Sequence, residues 1–174
     1  CGANYGKRAL CHIKGNRVTA VLGKYKGKPF NSPNDLVVTP SGVVYFTDPR
    51  YIGPEKMDLD HMSVYRYDPK TNQVSIATNG ETNHGTTHIE TGKTSTPGRM
   101  TLNAFAVKKD GSLGKKRVLA NFGKETGVDG MTVDTKGNVY AAVRAASKHG
   151  VAIINPKGKV LGFIPTAELL TNCC

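Results

Sequence analysis

The sequence predicts an all-β chain, and three observations carry that prediction. The apolar runs are strand-sized, Pro/Gly/Asn/Asp turns recur at short intervals, and one strand–turn–strand unit returns at a fixed spacing. Taken in order, residues 36–38 and 43–47 are apolar runs around the turn Thr39-Pro40-Ser41-Gly42. Residues 64–67 and 73–76 flank Asp68-Pro69-Lys70-Thr71-Asn72, and 104–107 and 113–119 flank Lys108-Lys109-Asp110-Gly111-Ser112. Residues 131–133 and 138–142 flank Asp134-Thr135-Lys136-Gly137, and 151–154 and 159–164 flank Asn155-Pro156-Lys157-Gly158. Such turn residues supply either positive φ or a side-chain oxygen for a local turn. Only residues 167–170 show a helical period.

Self-comparison sharpens the fold. Residues 32–45 align without gaps on residues 127–140, a separation of 95. Each copy has a polar lead-in, an apolar strand, a four-residue turn ending in Gly, and a strand reaching Tyr45 or Tyr140. Ninety-five residues is about two units of 40–50, the size of a propeller blade. A further copy is expected near residue 80, but residues 78–98 are polar and lack an apolar strand pair. The expectation is a single, incomplete β-propeller domain over residues 1–174, roughly four blades in extent, with an irregular segment at 78–98.

Composition narrows the function classes. With 38% hydrophobic and 21% charged residues the chain is too apolar for disorder, and no run approaches the ~18–20 residues of a membrane span. Lys and Arg exceed Asp and Glu by 11, which raises a polyanion-binding reading. Most of these cations sit beside Gly, Asn, Asp or Pro, however, where solvated turns and strand edges are expected, and no nucleic-acid partner is expected. Cys1, Cys11, Cys173 and Cys174 have neither CxxC spacing nor paired His, so no zinc site is read from them. The absent initiator Met reads as processing or as a chain cut from a longer product.

The aligned copies place Asn34 and Asp129 at equivalent lead-in positions, with Asp35 beside the first. In a propeller these positions border the central channel, where amide and carboxylate oxygens can gather around a hard cation. Such an ion would polarise a carbonyl and acidify bound water. Asx-turns are the structural alternative for the same residues.

Asn31-Ser32-Pro33-Asn34-Asp35-Leu36, the run from Tyr45 to Tyr51 (Y-F-T-D-P-R-Y) and Val128-Asp129-Gly130-Met131 together resemble the gluconolactonase, regucalcin and luciferin-regenerating enzyme family, in that order along the chain. The resemblance implies a six-bladed β-propeller holding one divalent metal, most often calcium, with zinc, magnesium or manganese as alternatives. It implies hydrolysis of a sugar lactone or related ester. By position, Asp129 resembles the family's metal-ligating Asp and general base, and Asn34 its channel Asn at substrate or metal-bound water, with Asp35 alongside. The family's Arg two residues before that Asn is Ser32 here. Its Glu ligand from an E-G-P motif has no counterpart in this chain. Its Asn ligand from a P-N-G motif falls in the missing copy, where Asn79-Gly80 is the sole remnant. The expected mechanism is metal-polarised lactone opening, with Asp129 orienting or deprotonating water, in the parent protein rather than in these residues alone.

Other motifs carry less. His84 and His88 with Glu81 and Glu90 lie in a Gly/Thr-rich stretch rather than on a helix face. Gly92-Lys93-Thr94 lacks the first Gly and the strand–helix context of a P-loop, and no G-x-S-x-G elbow is present. Tyr45, Tyr65, Tyr67 and Tyr140 lie in expected strands and read as packing residues. A non-catalytic propeller module and a polyanion-binding β protein stand as the alternative functions.

Overall fold

The structure is a computed structural model, and it describes residues 8–49, 56–78, 100–125 and 127–173. Fourteen strands and no helix are found among the described residues. They are β1 (Leu10–Lys14), β2 (Arg17–Leu22), β3 (Lys24–Tyr25), β4 (Lys28–Pro29), β5 (Leu36–Val38), β6 (Val44–Asp48) and β7 (Ser63–Asp68). There follow β8 (Gln73–Ile76), β9 (Thr101–Val107), β10 (Leu113–Asn121), β11 (Val128–Val133), β12 (Val139–Ala145), β13 (Lys148–Ile154) and β14 (Val160–Pro165). Two four-stranded antiparallel meanders, β5-β6-β7-β8 and β11-β12-β13-β14, are complete blades, and β1-β2, β3-β4 and β9-β10 are two-stranded hairpins. All five sequence-predicted hairpins form; β1-β2 and β3-β4 were not foreseen. Residues 167–170 are not helical, because four residues after Pro165 cannot offset the cost of nucleating a helix.

The 95-residue repeat is reproduced pair by pair. Leu36 faces Phe46, Val37 faces Tyr45 and Val38 faces Val44, while Met131 faces Ala141, Thr132 faces Tyr140 and Val133 faces Val139. The turns repeat too. The Thr39 N–H donates to Val43 O at 2.8 Å and the Gly42 N–H to Thr39 O at 2.9 Å. Correspondingly, Asp134 N–H donates to Asn138 O at 3.0 Å and Gly137 N–H to Asp134 O at 2.9 Å. Gly42 and Gly137 stand at φ +90° and +79°, a region that side-chain-bearing residues rarely adopt, which is why both turns end in Gly. The blades diverge after the second strand: two residues join β12 to β13, whereas a long connection through Asp58, Leu59 and His61 joins β6 to β7.

The chain forms two compact units, residues 1–93 with 107–113 and residues 94–106 with 114–174. The first has an aromatic core of Leu10, Tyr25, Phe30, Phe46, Leu59, Tyr65 and Tyr67. Phe46 stacks on its cross-strand partner Tyr65 at 5.3 Å between centroids, and Phe30 meets both rings edge-on at 5.1 Å. Tyr65, fully enclosed, shares a 3.0 Å hydrogen bond between its hydroxyl and His61 Nε2. Burial of that hydroxyl raises its pKa above the ordinary phenol range. The second unit has an aliphatic core, Leu102, Leu119, Val139, Ala141, Val143, Ala145, Ala152 and Ile154. Alternation accounts for it: Val139, Ala141, Val143 and Ala145 are every second residue of β12 and face one side.

Replacing Phe46 by Ala removes a ring with 1% exposure from a stacked pair, whereas Val37, 61% exposed, touches little. Urea unfolding is expected to show a loss of about 3–5 kcal/mol for Phe46→Ala and no more than about 0.5 kcal/mol for Val37→Ala. Equal losses would contradict this assignment of the core.

Candidate functional site

Each lead-in segment reaches its strand through a two-against-one bulge. In the first unit, Asn34 and Asp35 both oppose Thr47. The Asn34 N–H donates to Thr47 O at 3.0 Å, the Asp35 N–H to Thr47 Oγ1 at 3.1 Å, and the Thr47 N–H to Asp35 O at 3.0 Å. In the second unit the register passes from Val128 facing Val143 to Met131 facing Ala141, which leaves Asp129 and Gly130 opposite the single residue Ala142. Asn34 and Asp129 are therefore the first residues of corresponding bulges, a device that re-aims a side chain at the end of a strand. Sequence alignment had made them equivalent, and the backbone agrees.

The first bulge is held from below by a buried carboxylate. Asp48, with 0% exposure, accepts the Asn31 N–H on Oδ2 at 2.9 Å and the Ser32 N–H on Oδ1 at 2.7 Å. Asn31 in turn uses both ends of its amide: Oδ1 accepts the N–H groups of Asp58 (3.0 Å) and Leu59 (3.1 Å), and Nδ2 donates to His61 O at 3.0 Å. Pro33, also fully buried, removes a donor at a point where no acceptor is needed. The N-S-P and T-D-P segments thus lock each other and present Asn34 half-buried at the strand's beginning. Asp35 is exposed and caps its own strand, its Oδ1 accepting the Leu36 N–H at 2.8 Å. Burial pushes the Asp48 carboxyl up to about 6, against the lowering effect of the two N–H donors and of the Arg8 and His61 charges.

The second bulge is built differently. The Gly130 N–H donates outward to Thr171 O at 2.7 Å, and a Cβ at Gly130 would collide with Asn172 Oδ1 and sit 2.8 Å from Thr171 O. The D-G-M motif needs Gly because the segment 171–173 lies against it; Cys173 Sγ extends that contact, donating to Tyr140 O at 3.1 Å. Asp129 is 14% exposed and its Oδ2 accepts from Arg144 Nη1 at 3.0 Å. Arg144 is anchored at the same bulge, its N–H bonded to Gly127 O at 2.9 Å.

Asn34 and Asp35 thus share one bulge, and Asp129 occupies the matching bulge of the other unit. Residues 79–98 of the irregular segment, Asn79-Gly80, the His84/His88 pair, Gly92-Lys93-Thr94, Cys1 and Cys174 lie outside the described residues. Three residues that shape the two bulges had no role from sequence: Asn31 and Asp48 at the first and Arg144 at the second. The first two lay inside recognised motifs. Arg144 is the one charged residue of β12 and was visible only as a charge in an apolar run. A cavity of about 510 Å³ on β9-β10 is lined by Ala104, Phe105, Ala106, Lys115, Lys116 and Arg117, apart from these residues.

The donors on the described residues do not fit a divalent cation. No three His, Cys, Asp or Glu side chains gather among them, a hard cation such as Ca²⁺ takes six to eight oxygens, and Asp129 already has a guanidinium partner.

Antiparallel four-stranded blades repeated along the chain define a β-propeller, here part of one. Residues 2–174 match the family described as the SMP-30/Gluconolactonase/LRE-like region, and the chain belongs to that family. A gluconolactonase of Zymomonas mobilis is 31% identical over 194 aligned positions, covering 99% of this chain and 53% of the relative. The chain thus spans about half the length of that relative. The alignment also exceeds the 174 residues available here, so the relative carries at least 20 positions (194 less 174) without a counterpart. Among solved structures, a gluconolactonase of Xanthomonas campestris, described as important in glucose secondary metabolic pathways, superposes with a TM-score of 0.77 at 26% identity. That match covers 97% of this chain and 59% of the other. A putative gluconolactonase at 20% identity superposes with a TM-score of 0.71 over 97% of this chain and 60% of its own, and supports the fold.

Two outcomes follow from this geometry. The folded state keeps the Asp48 proton up to about pH 6, whereas the unfolded chain releases it near 3.8, so stability from this group is greatest below pH 4. It is lost as pH rises through that window, by about 3 kcal/mol from the two-unit gap. The stability of the protein minus that of Asp48→Asn, measured by urea unfolding, should therefore fall by this amount between pH 4 and 7. A difference that does not change with pH would contradict a buried, destabilised charge. Gly130→Ala should cost about 1–3 kcal/mol through overpacking against residues 171–172, read as a lowered midpoint; an unchanged midpoint would show that the terminal segment moves freely aside.

Proposed function

We propose that the protein is a sugar-lactone hydrolase of the gluconolactonase type, working on a small lactone or related ester at the channel-facing ends of its inner strands. The observation that carries this reading is Asp129, a carboxylate largely withdrawn from solvent and fixed in a strand bulge, in a chain that belongs to the gluconolactonase-type family. Family membership and its likeness to the gluconolactonases of Zymomonas mobilis and Xanthomonas campestris support it.

Lactone opening needs a water aimed at the acyl carbon, a base for its proton, and stabilisation of the oxyanion. Asp129 takes the base role: its carboxylate accepts the water proton, its second oxygen staying oriented by Arg144, and returns that proton to the ring oxygen as the ring's acyl C–O bond breaks. Asn34 offers an amide that donates to or accepts from the sugar hydroxyls, and Asp35 lies next to it to accept a further hydroxyl. Because Ser32 is buried where relatives of the regucalcin type hold an Arg, sugar recognition falls to neutral hydrogen bonding at that position. A divalent cation, calcium first and zinc, magnesium or manganese after it, belongs to this reading of the full-length protein, where it would polarise the lactone carbonyl.

Hydrolysis of glucono-δ-lactone, followed by pH-stat at pH 7 against the spontaneous rate, tests the reading. Asp129→Asn should lower kcat/KM by about 10²–10⁴-fold, the usual worth of a positioned base. Asn34→Ala should raise KM with a smaller change in kcat. Turnover indifferent to Asp129, or no turnover above the spontaneous rate in the full-length protein, would rule it out.

A further inference from the structure

We propose that the cavity on β9-β10 binds a small phosphate monoester, its phosphate held by Lys115, Lys116 and Arg117 and its apolar body laid against Phe105. The cavity is separate from the strand bulges and lies wholly within the second unit.

The lining matches such a ligand in charge. Lys115, Lys116 and Arg117 are consecutive on β10, all three are exposed, and no carboxylate shares the cavity with them. None of the ion pairs among the described residues uses them. The carboxylates described in this unit are committed or set apart. Asp129 is bonded to Arg144, Glu125 to the backbone and hydroxyl of Ser147, and Asp134 closes its own turn, while Glu168 stands exposed beyond β14. Three adjacent like charges repel one another, and with no internal anion to relieve them an incoming one is favoured. Lys on a strand edge commonly discourages pairing with other strands, a task that requires no concavity. Here the cations line a cavity of about 510 Å³, the size of clefts that enclose small organic ligands rather than a bare ion.

The rest of the lining is apolar. Ala104 packs at the margin of the aliphatic core, whereas Phe105, its neighbour on the opposite side of β9, does not join that core. The Phe105 ring is half-buried, and among the described residues it meets no other aromatic ring and no cation. It is a surface that a ring or an apolar ligand body can cover.

Phosphate suits these cations better than a single carboxylate does. A monoester carries a charge of about −1.5 to −2 at neutral pH and presents three acceptor oxygens. The Arg117 guanidinium can fork onto two of them, and the ammonium groups act as point charges beside the third. A sugar acid such as gluconate brings one charge and leaves the cations unmatched.

Phenyl phosphate, titrated into the whole chain at neutral pH and followed by two-dimensional amide NMR, tests this. Saturable shifts are expected at Phe105 and residues 115–117, with Asn34 and Asp129 unmoved. Phenyl phosphate should bind about four-fold or more tightly than inorganic phosphate, the worth of roughly one buried methylene or more. Phe105→Ala should erase that preference and leave the affinity for inorganic phosphate unchanged. The double variant Lys115→Gln/Arg117→Gln, which alters two exposed side chains only, should weaken both probes by about ten-fold or more. The proposal is overturned by the absence of saturable shifts or by an affinity indifferent to the double variant. It is equally overturned by gluconate binding as well as phenyl phosphate, or by no preference for phenyl phosphate over inorganic phosphate. Should Phe105→Ala fail to fold by circular dichroism, that preference in the unsubstituted protein decides. No lactone enters the test, so its outcome is independent of the hydrolase reading.

Discussion

A carboxylate sealed beneath a loop organises the first unit. Asp48 gives its two oxygens to two consecutive backbone N–H groups, and the Asn31 amide bonds Asp58, Leu59 and His61. Neither residue can be replaced by an apolar one without leaving buried donors unsatisfied, at about 1–3 kcal/mol each. That latch turns a stretch of irregular chain, residues 31–35, into a rigid lead-in, and it fixes where Asn34 meets the inner strand. The aromatic cluster of Phe30, Phe46 and Tyr65 lies against the same segment, so packing and polar satisfaction constrain the same few residues.

The second unit solves the same problem with other parts. No buried Asp stands below its bulge. The outer side of Gly130 is closed by residues 171–172, and Asp129 is steadied by a guanidinium from the neighbouring strand. The two lead-ins keep one backbone geometry while their side-chain chemistry diverges. Such divergence is expected where a repeated scaffold places different functional groups at each repeat, since the fold constrains the register and leaves the first bulge residue open to change.

Much of the architecture could be read from residues alone, for a simple reason. A turn of the form Thr/Asp/Asn-x-x-Gly requires Gly at positive φ, and alternating apolar residues on either side have few other options, so the meander strands were legible. Strands β1 and β2 escaped because they are exposed along most of their length, and no buried face imprints a period on residues 10–22. The equivalence of Asn34 and Asp129 was legible through the repeat. The Asp129–Arg144 pair was not, because it depends on a bulge that shifts register by one residue, and spacing along the chain does not reveal such a shift. Asp48 was seen as part of a motif, but its task is to bond backbone groups, which leave no mark of their own in a sequence.

The proposed function lies at the bulges of the inner strands rather than at the basic cavity on β9-β10. The most direct measurement is a two-dimensional amide NMR titration with gluconate, the product of the proposed reaction. Saturable shifts centred on Asn34, Asp35, Asp129 and Gly130 are expected, with residues 104–106 and 115–117 unmoved. Shifts confined to Lys115, Lys116 and Arg117 would contradict it and favour a surface that binds anions by charge alone.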